Sequence, residues 1–144
     1  MRPIIGFNST FNQGGTDTGN LALVSQPGAL CTSILDWANT SGIGFSSVIS
    51  LGSSADIRFG GVLDYLIYDP STHSVLLYIE GVKNARSFMS GLRAASRVKP
   101  VLAVKVGRHA SGSQAAKSHT GALVGPIMYS TRRCGALAAY VAIA

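Results

Sequence analysis

Acidic side chains are scarce in this chain. Six Asp and Glu stand against twelve Lys and Arg, and charged residues of both signs make up only 12% of its 144 positions. A surface so poor in charge is expected where some faces are normally covered by other domains. Cysteine is scarce as well: Cys31 and Cys134 form neither a CxxC pair nor a metal-ligand spacing, which excludes a redox CxxC motif and a cysteine-built metal site. Cys31 falls inside an apolar helical stretch and reads as a small core residue. Cys134 follows Arg132-Arg133, and nothing near it argues for a nucleophile. Long apolar runs are missing too. The longest reach about five to seven residues, against the roughly 20 that span a bilayer, and the opening MRPIIG has no signal-peptide layout. The expectation is a cytoplasmic chain that does not enter the membrane.

The formal charge of +6 raises the question of nucleic acid. The basic residues form no block, however. They are spread over Lys83, Arg86, Arg93, Arg97, Lys99, Lys105, Arg108, Lys117 and Arg132-Arg133, with no aromatic residues interleaved and no nucleic-acid motif. An ordinary solvated face accounts for most of them, and a site that handles phosphates accounts for the excess equally well.

The chain does hold 47% apolar residues and 17 glycines, a profile that suits one small α/β domain with buried parallel strands and glycine-rich turns. Residues 1–19, rich in Gly, Asn, Ser and Thr, read as a linker, and residues 20–144 as the folded domain. Apolar runs predict strands over 20–25, 46–51, 74–80, 100–106 and, more faintly, 138–143. Helical periodicity over 28–39 places Leu30, Ile34, Leu35, Trp37 and Ala38 on an apolar face, with Gly42 and Gly44 closing the helix. Further helices are expected over 61–68, stopped by Asp69-Pro70, and over 84–97, with Asn84 as its cap. Strands alternating with helices through short connections predict a doubly wound parallel sheet, in which ligands bind beyond the carboxyl ends of the strands. That rule brings Gly28, Glu80 and His119 to one rim.

Three features of that rim could carry chemistry. His119, in Ser118-His119-Thr120-Gly121, lies on a Gly/Ser/Ala-rich loop beyond the strand at 100–106. Neutral imidazole is a competent nucleophile and can carry a covalent group. Glu80 closes an apolar strand just before Gly81, and two readings stand for it: a solvated strand end, or a carboxylate that accepts a hydrogen bond from the imidazole and fixes its tautomer. Gln26-Pro27-Gly28-Ala29 enters a helix amino terminus. It is either a plain strand-to-helix connection or a phosphate site made of helix-start amides. His73 reads as a solvated turn residue and His109 as a bystander next to Arg108. No metal site is suggested.

The runs NLALVSQPGALCTSILDWA, SSVISLGSSADIRFGGVLDYL and LLYIEGVKNARSFMSGLRAASRVKPVLAVKVGRHASGSQAAKSHTGALVG resemble the nucleoside-diphosphate-forming acyl-CoA synthetases, relatives of succinyl-CoA synthetase that include ADP-forming acetate–CoA ligases. SHTGAL and SQxGAL are the most specific segments, and the resemblance covers roughly residues 6–125. It implies a flavodoxin-like domain in which His119 is transiently phosphorylated and Glu80 steadies the phosphohistidine. Gly28 and Ala29 would then hold phosphate, with Thr120 and Gly121 beside the histidine. It further implies partner domains: a CoA-binding Rossmann domain, from which residues 1–19 would be the linker, and an ATP-grasp domain or subunit. CoA and ATP or ADP with Mg would be bound through those domains and not by this chain alone, and a homo-oligomer is compatible with the resemblance.

The sequence also departs from the family pattern. Pro27 replaces the usual serine of SQSGAL, removing a hydroxyl and a backbone donor, and Ser53 replaces the usual asparagine after Gly52. Beyond Gly125 the match thins, and the expectation is a truncated carboxyl end and an isolated chain that does not make ATP. A second function fits the same resemblance: the regulatory core of a GNAT-type protein lysine acetyltransferase. A third is an inactive domain. His119 and Glu80 favour the catalytic version; Pro27 and the shortened carboxyl end favour a degraded or inactive one.

Overall fold

The computed structural model describes residues 1–10, 12, 14–53, 56–106 and 139–143. After a short 3-10 turn at Pro3–Ile5, the elements are β1 (Thr18–Ser25), α1 (Gly28–Thr40), β2 (Phe45–Ser50), α2 (Phe59–Tyr68), β3 (Ser74–Ile79), α3 (Ala85–Ser96), β4 (Val101–Lys105) and β5 (Ala139–Ile143). All neighbouring strands pair in parallel, in the order β2-β1-β3-β4-β5. This is the expected doubly wound α/β sheet, with the strand order of flavodoxin-like folds. Every expected strand and helix lies within two residues of its expected bounds. The most consequential shift is at β3, which ends at Ile79, so that Glu80 stands just past the strand.

Side-chain alternation divides the core in two. Ala22, Val24, Val75, Leu77, Ile79, Val101 and Ala103 form one sheet face and pack under α2 and α3. The edge-to-face pair Phe59–Phe88, with centroids 5.9 Å apart, joins those two helices. On the other face Leu23 and Val48 meet Cys31, Leu35 and Ala38 of α1. Those three recur at i, i+4 and i+7, which makes them the buried stripe of the helix. Trp37, expected on that stripe, falls off it and is 61% exposed. Strands β3 and β4 alternate instead of being buried on both faces: Leu76 and Tyr78 are half-buried and Leu102 is exposed. Among the described residues α1 covers this side of the sheet only near β1 and β2.

Gly42 ends α1 as expected. Its φ is +66, in the left-handed region, and Ile43 N–H reaches back 2.9 Å to the Ala38 carbonyl, the bond that defines a Schellman cap. Gly44 does something different. A Cβ on Gly19 would lie 2.3 Å from the Gly44 carbonyl carbon and oxygen, so the two glycines let β1 and β2 cross closely where their register slips.

The amino ends of the strands are held by a buried polar network that sequence reading had treated as a helix stop. Asp69, its side chain 3% exposed, pairs with Arg2 at 3.1 Å. It accepts hydrogen bonds from the Ser71 hydroxyl (2.7 Å) and the Thr72 hydroxyl (2.8 Å), and Thr72 in turn meets Ser46 of β2 at 2.7 Å. Lys99 donates to the Leu66 and Asp69 carbonyls, satisfying the end of α2. Burial pushes the Asp69 carboxyl up, but the bonds from Ser71 and Thr72 and the Arg2 charge outweigh it and hold it below the ordinary aspartate value. Its stabilising contribution is therefore complete above the unfolded value, about 3.9, and is lost as pH falls through the lower folded value. Asp69→Asn is expected to cost about 1–3 kcal/mol in urea unfolding at pH 7. The gap from the parent chain should narrow below about pH 4; a gap independent of pH would contradict the network.

Candidate functional site at the carboxyl rim

In a sheet of this order the connections leaving β1 and β3 run to opposite sides, so a crevice opens beyond their carboxyl ends. One residue spans it. Gln26 follows β1, is 5% exposed, and uses both ends of its carboxamide. Its Oε1 accepts from the backbone N–H of Glu80 (2.5 Å) and of Gly81 (2.8 Å), and its Nε2 donates to the Gly81 carbonyl at 2.8 Å. The backbone of Gln26 is engaged as well: its N–H donates to the Tyr78 carbonyl (3.2 Å), and its carbonyl accepts from Gly52 N–H (3.1 Å) beyond β2. The ends of β2, β1 and β3 thus converge on a single side chain and its peptide. Each of these buried groups left without a partner would cost about 1–3 kcal/mol.

Glu80 is half-buried at this rim. Its charge is felt by two neighbours. The Tyr78 phenol is raised by burial and then by Glu80. The Lys105 ammonium, 8% exposed at the end of β4, is lowered by burial, with Glu80 opposing that shift. The Lys105 Nζ donates to the Val106 carbonyl. Lys83 binds the loops after β3 and β2 together, donating to the Ser53 carbonyl at 2.7 Å.

On the β2 side of the rim, Gly28 and Ala29 open α1 without a side-chain cap. Pro27 stands at the cap position itself, extended at φ −74 and ψ 123. Gly28 and Ala29 line a cavity of about 870 Å³ together with Cys31, Ser50 and Gly52. The Cys31 thiol, buried here, is pushed up chiefly by burial, as suits a core residue more than a nucleophile. Glu80 does not line this cavity; it joins the residue 26–29 turn through Gln26. His119, Thr120, Gly121, His109 and Cys134 lie outside the described residues. His73 is exposed, with Asn20 as its polar neighbour at 3.4 Å. Among the described residues no group of three or more His, Cys, Asp or Glu could hold a metal ion, and no helix is long and apolar enough to cross a membrane.

Sequence reading had found Glu80 and the residue 26–29 turn but not Gln26 as the link between them. The available signal was a glutamine in an otherwise apolar strand end, where a carboxamide survives burial only if it is hydrogen-bonded.

The family description "Succinyl-CoA ligase like flavodoxin domain" matches residues 18–140. The chain belongs to that family. It is 42% identical over 121 residues to an ADP-forming acetate–CoA ligase I of Archaeoglobus fulgidus, covering 84% of this chain and 18% of that protein. It is 40% identical over 136 residues to the alpha subunit of an ADP-forming acetate–CoA ligase I of Pyrococcus furiosus, covering 92% of this chain and 29% of that subunit. Among solved structures, an acetyl-coenzyme A synthetase 1 of Candidatus Korarchaeum cryptofilum in complex with phosphate and ADP superimposes with a TM-score of 0.80. The identity is 34%, over 88% of this chain and 28% of that one. The domain thus spans less than a third of the length of these relatives.

Proposed function

We propose that this domain is the phosphoryl carrier of an ADP-forming acyl-CoA synthetase, with His119 as the nucleophile and Glu80 as the carboxylate that orients it. The observation that supports this most is the placement of Glu80 at the crevice beyond β1 and β3, its backbone held by Gln26 and next to the opening of α1. In the proposed sequence, phosphate attacks the acyl-CoA thioester, giving acyl phosphate and releasing CoA thiol. An imidazole nitrogen of His119 then attacks phosphorus, and the carboxylate leaves as the free acid anion. Finally the terminal phosphate oxygen of ADP takes the phosphoryl group, giving ATP and restoring the imidazole. Glu80 accepts the hydrogen bond of the other ring nitrogen, so that the attacking nitrogen keeps its lone pair and the positive ring formed by phosphorylation is balanced.

The amides at Gly28 and Ala29 favour an anion by their position at a helix start. Thr120 and Gly121, beside the histidine, complete the phosphate contacts. CoA, the nucleotide and its Mg are assigned to partners, a CoA-binding Rossmann domain and an ATP-grasp domain or subunit. The acyl phosphate and the histidine are where this chain meets the reaction.

Incubating the purified chain with radiolabelled acetyl phosphate tests this reading. Base-stable, acid-labile label is expected in the parent chain, absent in His119→Ala, and formed on the order of tenfold or more slowly in Glu80→Gln. A folded parent chain that takes up no label would overturn the reading in favour of a regulatory or inactive domain. A second expectation concerns the helix opening. Pro27→Ser restores a cap hydroxyl and a backbone N–H, and calorimetry should find tighter binding of phosphate or acetyl phosphate. Equal affinity in the two proteins would count against the helix opening at Gly28 and Ala29 as the phosphate cradle.

A further inference from the structure

We infer that Gln26 is a positioning residue for Glu80: its carboxamide continues the β1–β3 ladder one step past both strands and fixes the peptide that carries the carboxylate. The inference rests on the phosphohistidine reading above, which gives Glu80 its task. The geometry is that of a substitute peptide. Oε1 and Nε2 engage the N–H and the carbonyl of the same residue, Gly81, as a neighbouring strand would, and Oε1 also takes the Glu80 N–H.

Without this clamp, Glu80 and Gly81 would leave the sheet at the switch point with three backbone hydrogen bonds lost. Gly81, buried and without a side chain, adds no packing of its own to hold the turn. The registered pairs between β1 and β3 end at Ser25 and Tyr78, two residues short of Glu80. On the far side, the Val106 N–H bond to the Ile79 carbonyl ties β3 to the end of β4. Gln26 supplies the tie on the β1 side. Positioning matters because the hydrogen bond from a carboxylate to an imidazole is directional, and displacements near 1 Å in a reacting constellation cost large factors in rate.

The test uses the purified chain and two substitutions, with labelling by radiolabelled acetyl phosphate as readout. Gln26→Leu keeps the volume and loses all three bonds. The expected result is a labelling rate at saturating acetyl phosphate lower by ten- to a hundredfold on the order of a misplacement near 1 Å, with acetyl-phosphate affinity nearly unchanged. Labelling of a folded Gln26→Leu chain at the parent rate would overturn the inference, as would a loss confined to affinity.

Gln26→Glu decides the matter where the leucine variant does not fold. The acid it introduces, when protonated, reproduces the pattern of the carboxamide: one oxygen accepts both N–H groups and the O–H donates to the Gly81 carbonyl. When ionised it loses that donor and sets a second negative charge beside Glu80, with Tyr78, Lys83 and Lys105 the other titratable groups at this rim among the described residues. The ratio of its labelling rate to that of the parent, measured at matched pH and corrected for the folded fraction, should therefore rise as pH is lowered from 8 to 5.5, roughly the span in which a buried carboxylic acid gains its proton. A ratio flat across that range would overturn the inference. A parent chain that takes no label removes the phosphohistidine reading and this inference with it, whereas label in the parent with unaltered variants removes the inference alone.

Discussion

The three hydrogen bonds of the Gln26 side chain are the constraint on which the carboxyl rim depends. Parallel sheets of this order leave a gap where the connections diverge, and that gap is useful to a ligand but weak as structure. A side chain that imitates a peptide closes the gap for the backbone while leaving the space above it open. The same residue accepts from Gly52 N–H through its own carbonyl, so the turn after β2, the opening of α1 and the turn after β3 share one anchor. Losing the side-chain bonds would move Glu80, while the backbone bonds of residue 26 to Tyr78 and Gly52 keep the start of α1 in place.

The two ends of the sheet do different work. At the amino ends, Asp69 is ringed by Arg2, Ser71 and Thr72, and Lys99 closes α2. There the polar groups answer one another and serve the fold. At the carboxyl ends, Glu80 and Lys105 bring opposite charges to the rim, and the cavity beside Gly28 and Ala29 opens on its β2 side.

Much of this was legible in the sequence. The continuous apolar strands and short connections gave away the parallel sheet, and the sheet in turn placed residues 26–29 and Glu80 on one rim. The Asn84 cap was also readable and is present: its side chain accepts from Ser87 N–H. Other features were not. Trp37 is apolar and close to the helical period, yet one position of angular drift turns it out to solvent. Gly44 looked like a helix terminator, but its lack of a side chain serves a crossing of β1 and β2, which no local pattern encodes. Asp69-Pro70 signalled a helix stop correctly while hiding the pairing of Asp69 with Arg2, distant in the chain. Gln26 escaped for the same reason: its partners lie just past the end of another strand, and a sequence pattern shows only that a polar group is buried, never what receives it. Of the candidate site, Glu80, Gly28 and Ala29 lie within the described residues, and His119, Thr120 and Gly121 outside them.

The most direct measurement is amide hydrogen exchange at single-residue resolution on the unmodified chain, read at Glu80 and Gly81. Both N–H groups lie past the end of β3, where a turn would ordinarily exchange quickly. If the Gln26 carboxamide holds them as a strand would, they exchange as slowly as the amides of Leu77 and Tyr78 within the β3 ladder. Exchange at the pace of an open turn would contradict the account.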